Sequence, residues 1–409
     1  MPSADVIALL GSWEGYRIGL VQRFAAGEKG AAAQVWVELH REPGRPFVCS
    51  GCGRAYQRPH DGMERWVRDL PILDAETHLL LSRYRVDCSV CGPTVEHVPW
   101  LAKWSRVTRQ LAESVARLCK VLAIKHVAEF YRLGWDAVKA IDKAHLESRL
   151  GEPDLSEVSL LAMDEFALKR GHRYATIFVE PQRKQVLWVC RGRSREDIRP
   201  FFERLGPEGR ARLRAVAMDM NAAYEAEVRD QCRYASIVFD QFHVAAKYGR
   251  EVIDKVRTAE ANRQRHRAER QVIKGSRWLL LRNAENLKRR DRVRLRELLK
   301  VNRHLATAYI LKDDLKSLWD YRYPGAARNF WKEWYRRAIR SRIKPLKQFA
   351  RRLRKKIEGV IDHCYYPLHT SLLEGINNKI KVIKRMAYGF RDDAYFFLKI
   401  RDAFPGIPG

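Results

Sequence analysis

Residues 157–240 constrain the fold more than any other part of the chain. Apolar runs predict strands over 158–166, 174–179 and 185–190. Helical and extended patterns then alternate: helix 196–205, strand 213–218, helix 222–230 and strand 235–239. Ser194 and Asp197 form a capping box that opens the first of these helices, and Phe201 and Leu205 recur at helical spacing on its sheet-facing side. Three consecutive strands followed by alternating helices and strands fit a mixed sheet covered by helices.

Two acidic residues sit where those strands end, and a third lies far downstream. Asp164 follows Leu160, Leu161, Ala162 and Met163 on a strand that reads as buried, where an ionised carboxylate is costly unless it is paired or binds metal. Asp219 ends the strand 213–218 and, taken alone, reads as the N-cap of the next helix. Glu374 shares a helix face with Asn378, Lys381 and Arg385, which alone reads as a solvated charged row. As a set, the three sit where an RNase H-like nuclease core would use carboxylates to hold two Mg²⁺ or Mn²⁺ ions for phosphoryl transfer, which is the expectation for them here. Glu165, next to Asp164, is expected on the opposite face of the strand.

The charge points to a polyanionic partner. The chain has 409 residues, a formal net charge of +29 and 46% hydrophobic residues, so it is too apolar to be mainly disordered. Residues 241–360 hold 35 Lys/Arg against 12 Asp/Glu, a net +23, leaving +6 for the rest. This stretch is read as a basic helical segment that contacts double-stranded DNA, chiefly at phosphates, with Arg351, Arg352 and Arg354 as candidates. Lys274, Arg277 and Trp278 form a basic-aromatic cluster that fits holding or flipping a base, and Lys381 adds a cation on the final helical face. Trp278, Trp319, Trp331, Trp334 and Tyr335 are interleaved with the charges, a pattern that fits core packing as well as stacking on DNA.

The N-terminus lacks the pattern of a secretion signal and no stretch is long and apolar enough for a membrane span, so a cytoplasmic location with reduced cysteines is expected. Cys49-x-x-Cys52 and Cys88-x-x-Cys91 are each followed by glycine, Gly53 and Gly92, which permits a tight knuckle. Two such knuckles make one tetrahedral four-cysteine zinc site. The 35 residues between them include an apolar-basic alternation over 78–86 that predicts a returning strand. Cys119, Cys190, Cys232 and Cys364 read as buried thiols, and His97 is not needed as a ligand.

Residues 105–146 are helical by period, with Val107, Leu111, Val115 and Leu118 on one stripe and Val127, Phe130 and Tyr131 on the next. A short helix ending near Arg132, a turn through Leu133 and Gly134, and a helix from Trp135 to about Lys143 make a helix-turn-helix, with Trp135 and Lys139 as candidate DNA contacts. Residues 149–156 read as a linker.

Several longer motifs run through this frame: MDEFALKRGHRYATIFV from Met163, AMDMNAAY from Ala217, FDQFHV from Phe239, KGSRWLLLRN from Lys274 and LEGINNKIKVIKRMAYGF from Leu373. Over nearly its whole length the chain resembles bacterial insertion-sequence transposases of the ISL3 family. The resemblance implies a multidomain α/β protein: a zinc ribbon over 1–100, a helix-turn-helix over 101–150, an RNase H-like DDE core over 151–240 and 366–409, and a basic α-helical insertion over 241–365. It carries Asp164, Asp219 and Glu374 over as the metal-binding triad, and Asp240 with His243 resembles the aspartate-x-x-histidine pair found beside many such sites. On the residues alone, Asp240 also reads as a helix cap and His243 as a structural histidine. The implied cofactors are two Mg²⁺ (or Mn²⁺) ions and one structural Zn²⁺. The implied partners are terminal inverted repeats, target DNA and further copies of the chain. Rival readings are a DNA-binding regulator derived from a transposase and a plain metal-dependent nuclease.

Overall fold

The computed structural model describes residues 13–27, 32–169, 171, 173–282, 284–368 and 371–407. The chain divides into two compact units, Met1–Gly151 with Lys384–Leu398, and Glu152–Ile383 with Lys399–Gly409. Residues 384–398, expected to belong with the rest of 366–409, therefore group with the N-terminal unit.

In the first unit, strands β1 (Tyr16–Phe24), β2 (Gln34–Arg41), β5 (Asp61–Ile72), β6 (Ala75–Cys88) and β7 (Gly92–Val95) form a sheet ordered β1-β2-β6-β5, with β7 on β6. The short pair β3 (Phe47–Val48) and β4 (Ala55–Tyr56) stands apart as a two-stranded ribbon. The alternation expected over 78–86 is part of β6, which buries Leu79 and Leu81 against Val35, Val37, Leu39 and Val67.

Three helices follow: α1 (Arg109–Cys119), α2 (Ile124–Tyr131) and α3 (Trp135–Leu150). Thr108 caps α1 by accepting from the Leu111 amide at 3.2 Å. Arg132, at φ 51°, ends α2 in the left-handed region, and Gly134 is the N-cap of α3. Leu111, Val115, Val127, Tyr131 and Val138 close the small core. Phe130 departs from the expected stripe and is exposed. Val127 and Tyr131, four residues apart, define the buried line, and Phe130 falls beside it. Helix α3 runs to Leu150, so the expected linker begins two residues later than its predicted start. Within the same unit, the Tyr395 hydroxyl donates to Asp142, and Asp392 pairs with Lys139 at 3.0 Å and Lys143 at 3.2 Å.

The second unit is built on strands β8 (Leu160–Lys169), β9 (Arg173–Glu180), β10 (Gln185–Arg191), β11 (Ala215–Met218) and β12 (Ser236–Phe239), ordered β10-β9-β8-β11-β12. Strand β9 runs antiparallel to both of its neighbours, β8 and β10, and β8, β11 and β12 are parallel. Helix α4 (Arg195–Arg212) opens on the Ser194 capping box and breaks at Gly206, whose φ of 71° no α-helix accommodates; α5 (Ala222–Gln231) crosses between the last two strands. Phe178 stacks on Phe201 at 4.0 Å beneath α4.

Helix α6 (Gln241–Tyr248) starts a helical region that runs to Ile361. Its apolar residues continue the sheet's core without a break: Tyr248, Trp331, Trp334 and Phe349 belong to the same buried cluster as Leu161 and Phe178. Trp334 donates to the Leu311 carbonyl and Tyr248 to the Ala308 carbonyl, both at 2.8 Å, so each large ring is buried with its polar atom satisfied. Trp278, by contrast, is 63% exposed.

Candidate active site

Register places the first two carboxylates together. Ala217 of β11 is level with Ala162 of β8, and Asp219 and Asp164 each lie two residues further along these parallel strands. Neighbouring strands run about 4.8 Å apart, so both side chains emerge side by side. Asp164 is buried, 5% exposed. Its Oδ1 accepts from the Glu165 amide at 2.8 Å, and its Oδ2 accepts from Asn377 Nδ2 at 2.6 Å.

Asp219 is not the helix cap. Asn221 caps α5 by accepting from the Ala223 amide at 2.9 Å, while Asp219 accepts from the Asn221 amide at 2.9 Å in a tight turn. Two extra residues between strand and helix thus leave the Asp219 carboxylate facing the cleft. Asp240, in contrast, does cap its helix, accepting from the Phe242 amide at 2.9 Å. Its other oxygen lies 3.5 Å from His243 Nε2, which is 3.8 Å from Asp164 Oδ1. Capping and orienting are therefore one arrangement: the cap sets α6 so that its first turn aims His243 at Asp164.

Asp219 and His243 border a cleft of about 550 Å³ whose walls also include Glu165, Arg193, Asn221 and Lys247. Burial pushes the Asp164 carboxyl up to about 6, opposed by His243 and the Glu165 amide, while the Asp219 charge adds to the rise. Burial likewise raises Asp219, with the Asn221 amide and His243 acting against it and the Glu165 charge adding to it. Glu165 thus reaches the same cleft, contrary to the expectation from strand alternation. Arg193 holds both its carboxylate oxygens at 3.0 Å and stacks on Tyr174 at 4.1 Å. Alternation fixes the face a side chain leaves from, and this ion pair draws the longer glutamate to the cleft.

Glu374 is exposed on the helix Ser371–Met386. Asn377, three residues on, ties that helix to Asp164. Asn377 was missed in the sequence, where the row Glu374, Asn378, Lys381 and Arg385 was followed; the i+3 neighbour of Glu374 was the available signal. Lys381 donates to Asn378 at 3.2 Å.

The zinc candidates converge. Sulfurs of Cys49, Cys52, Cys88 and Cys91 all lie within 4.8 Å of one another. Gly53 and Gly92 adopt φ of 76° and 67°, and the Gly51 amide donates to Cys49 Sγ at 3.3 Å. A side chain at Gly51 would begin 2.8 Å from Cys91 Sγ. Four thiolates so placed fit a tetrahedral structural zinc ion, and His97 is exposed. Of the other cysteines, Cys119 and Cys232 are buried, while Cys190 and Cys364 are half-buried.

The DNA candidates divide. Trp135, Lys274, Trp278, Arg351 and Arg354 are exposed. Lys139 is engaged by Asp392, Arg277 by Asp254 at 3.0 Å, and Arg352 by Glu251. No helix among the described residues is long and apolar enough to cross a membrane.

A pair of cysteine knuckles, a three-helix segment with a helix-turn-helix, and a mixed sheet carrying paired aspartates together define a DDE transposase. Residues 161–400 match the ISL3-type DDE transposase domain, residues 96–146 the helix-turn-helix domain of transposase family ISL3, and residues 45–91 the zinc-finger of the transposases of IS204, IS1001, IS1096 and IS1165. The chain belongs to the ISL3 family of transposases. It is 48% identical over 399 residues to the transposase of insertion sequence element IS1001 from Bordetella parapertussis, covering 97% of both chains. It is 29% identical over 426 residues to the transposase of insertion sequence element IS1557 from Mycobacterium tuberculosis, covering 94% of this chain and 93% of that one.

Proposed function

We propose that this transposase binds the terminal inverted repeats of its own element and cuts and joins DNA at a two-metal site held by Asp164, Asp219 and Glu374. The observation that carries the reading is the pairing of Asp164 and Asp219 at one level of adjacent parallel strands, both raised by burial. Among the described residues neither forms an ion pair with a lysine or arginine, so the site favours a divalent cation as counter-charge. Oxygen-only donors suit Mg²⁺ or Mn²⁺. The Asn377 bond supports Glu374 as the third ligand, since it brings one turn of that helix to Asp164. Strand order with three antiparallel and two parallel strands supports an RNase H-like core.

Two such ions would activate the attacking hydroxyl and stabilise the leaving oxygen. The chain's own part is to hold the carboxylates in place through the Asn221 turn and the Asn377 bond, and to keep His243 against Asp164. Lys247 and Arg250 add positive charge to the cleft wall, where DNA phosphates would lie. Joining two ends in one reaction calls for a homodimer or larger assembly.

The test is Mg²⁺-dependent nicking and joining of labelled end DNA. Asp164→Asn, Asp219→Asn and Glu374→Gln should each abolish both reactions while end binding persists, because binding rests on other surfaces. Wild-type strand transfer by Asp164→Asn would exclude this site. A wild-type protein that bound ends but never cut them would be a DNA-binding regulator.

A further inference from the structure

We propose that Asn377 is a positioning residue of the metal site, acting on Asp164 with one end of its amide and on a metal-bound water with the other. The inference rests on the reading of Asp164 as a metal ligand. Asn377 Nδ2 donates to Asp164 Oδ2 at 2.6 Å. Only the NH2 end of an amide can donate to a carboxylate, so the bond fixes which end points away. That other end, Asn377 Oδ1, is buried and has no hydrogen-bond partner among the described residues. Buried carbonyl oxygens are rarely left unpaired, and an exception beside a paired-carboxylate cleft calls for a donor that arrives with the ligands.

A water on a divalent cation is such a donor: its protons are polarised and its oxygen is fixed by the metal. The Asp164 end has a separate effect. With Oδ2 held by Asn377 and Oδ1 by the Glu165 amide, the carboxylate cannot rotate freely, and Oδ1 stays on the side of His243. Asn377 also couples two chain segments 213 residues apart, so the helix carrying Glu374 is registered against β8 by the same bond. Leu373, Ile376 and Ile380 pack the buried side of that helix, so its fold does not depend on Asn377 alone.

The experiment measures Mn²⁺ in two ways on the full chain bound to a duplex carrying the element's terminal repeat. One is Mn²⁺ binding followed by electron paramagnetic resonance; the other is the Mn²⁺ concentration for half-maximal nicking. Asn377→Ala and Asn377→Leu should each weaken Mn²⁺ binding about tenfold and raise the half-maximal concentration in step, with nicking at saturating Mn²⁺ restored in large part. Such a shift is what loss of a ligand-orienting residue produces. Asn378→Ala, on the exposed neighbour, should leave both within twofold. Melting temperature and end affinity are read alongside, and Asn377→Ser serves as a second variant should Ala or Leu unfold the helix. Wild-type Mn²⁺ binding and dependence in every folded Asn377 variant, with binding lost in Asp164→Asn, would overturn the role of Asn377 alone. Unchanged Mn²⁺ binding in Asp164→Asn would instead overturn the metal site on which it rests.

Discussion

Asp164 is held in place at the expense of stability. A carboxylate that is 5% exposed loses most of its hydration, and its two hydrogen bonds return only part of that. Its folded value of about 6 lies above the ordinary 3.8, so the folded protein takes up the extra proton. Stability is therefore gained as pH falls through about 6 and the gain is complete below the unfolded value; above about 6 the full penalty stands. Without added divalent ions, Asp164→Asn should melt several degrees higher than wild type at pH 7.5, reflecting a penalty of about 3 kcal/mol. By pH 4.5 about a third of the difference should remain, and near pH 3, below the unfolded value, it should nearly vanish. Calorimetry across this range is the check, and a variant less stable at pH 7.5 would contradict the burial argument. The burial of Asp164 was legible because an apolar run precedes it. The capping by Asn221 and the reach of Glu165 were not, since both depend on partners distant in space or on a turn two residues longer than a simple cap.

At the level of elements, patterns with a single physical cause were read well. The five strands around the aspartates follow from uninterrupted apolar runs, and the Ser194 capping box forms with both of its bonds. What the sequence left open were choices between faces. Phe130 and Tyr131 are neighbouring aromatics, yet only Tyr131 is buried, where its hydroxyl meets Ser114 at 2.6 Å. The zinc knuckles were legible because ligand type, spacing and glycine all serve one geometry. Four thiolates saturate a structural ion, so the purified protein should hold about one Zn²⁺ per chain. Cys88→Ser should release it, unfold the ribbon around β3, β4 and β7, and weaken binding to the terminal repeat. Elemental analysis with proteolysis of residues 45–95 reads both effects. Freshly purified, active protein with no zinc would refute the site.

Across the whole molecule, charge and core are distributed differently. The core runs without interruption from the β8 sheet through the helices up to Ile361, so the insertion is part of the catalytic unit and not a tethered appendage. Lys312 is buried and donates to the Leu280 carbonyl at 2.8 Å, but Arg351 and Arg354 are exposed on either side of buried Leu353 on one helix. Arg354 lies over Tyr335 at 5.5 Å, and Arg352 is already engaged by Glu251. Sequence alone weighted the three arginines equally because ion pairing across 101 residues leaves no local trace. Each phosphate contact releases bound counterions, so lost contacts reduce the slope of affinity against salt by roughly one per contact. Arg351→Glu with Arg354→Glu should therefore weaken binding to terminal-repeat and unrelated duplexes alike and flatten the salt dependence by about two. Arg352→Gln should do less, since Glu251 already neutralises that charge. The ratio of specific to nonspecific affinity should hold, because phosphate contacts carry no sequence information of their own. Fluorescence anisotropy on both duplexes over a salt series decides it. Loss confined to the terminal repeat would make this helix a base reader and would move sequence recognition into the catalytic unit.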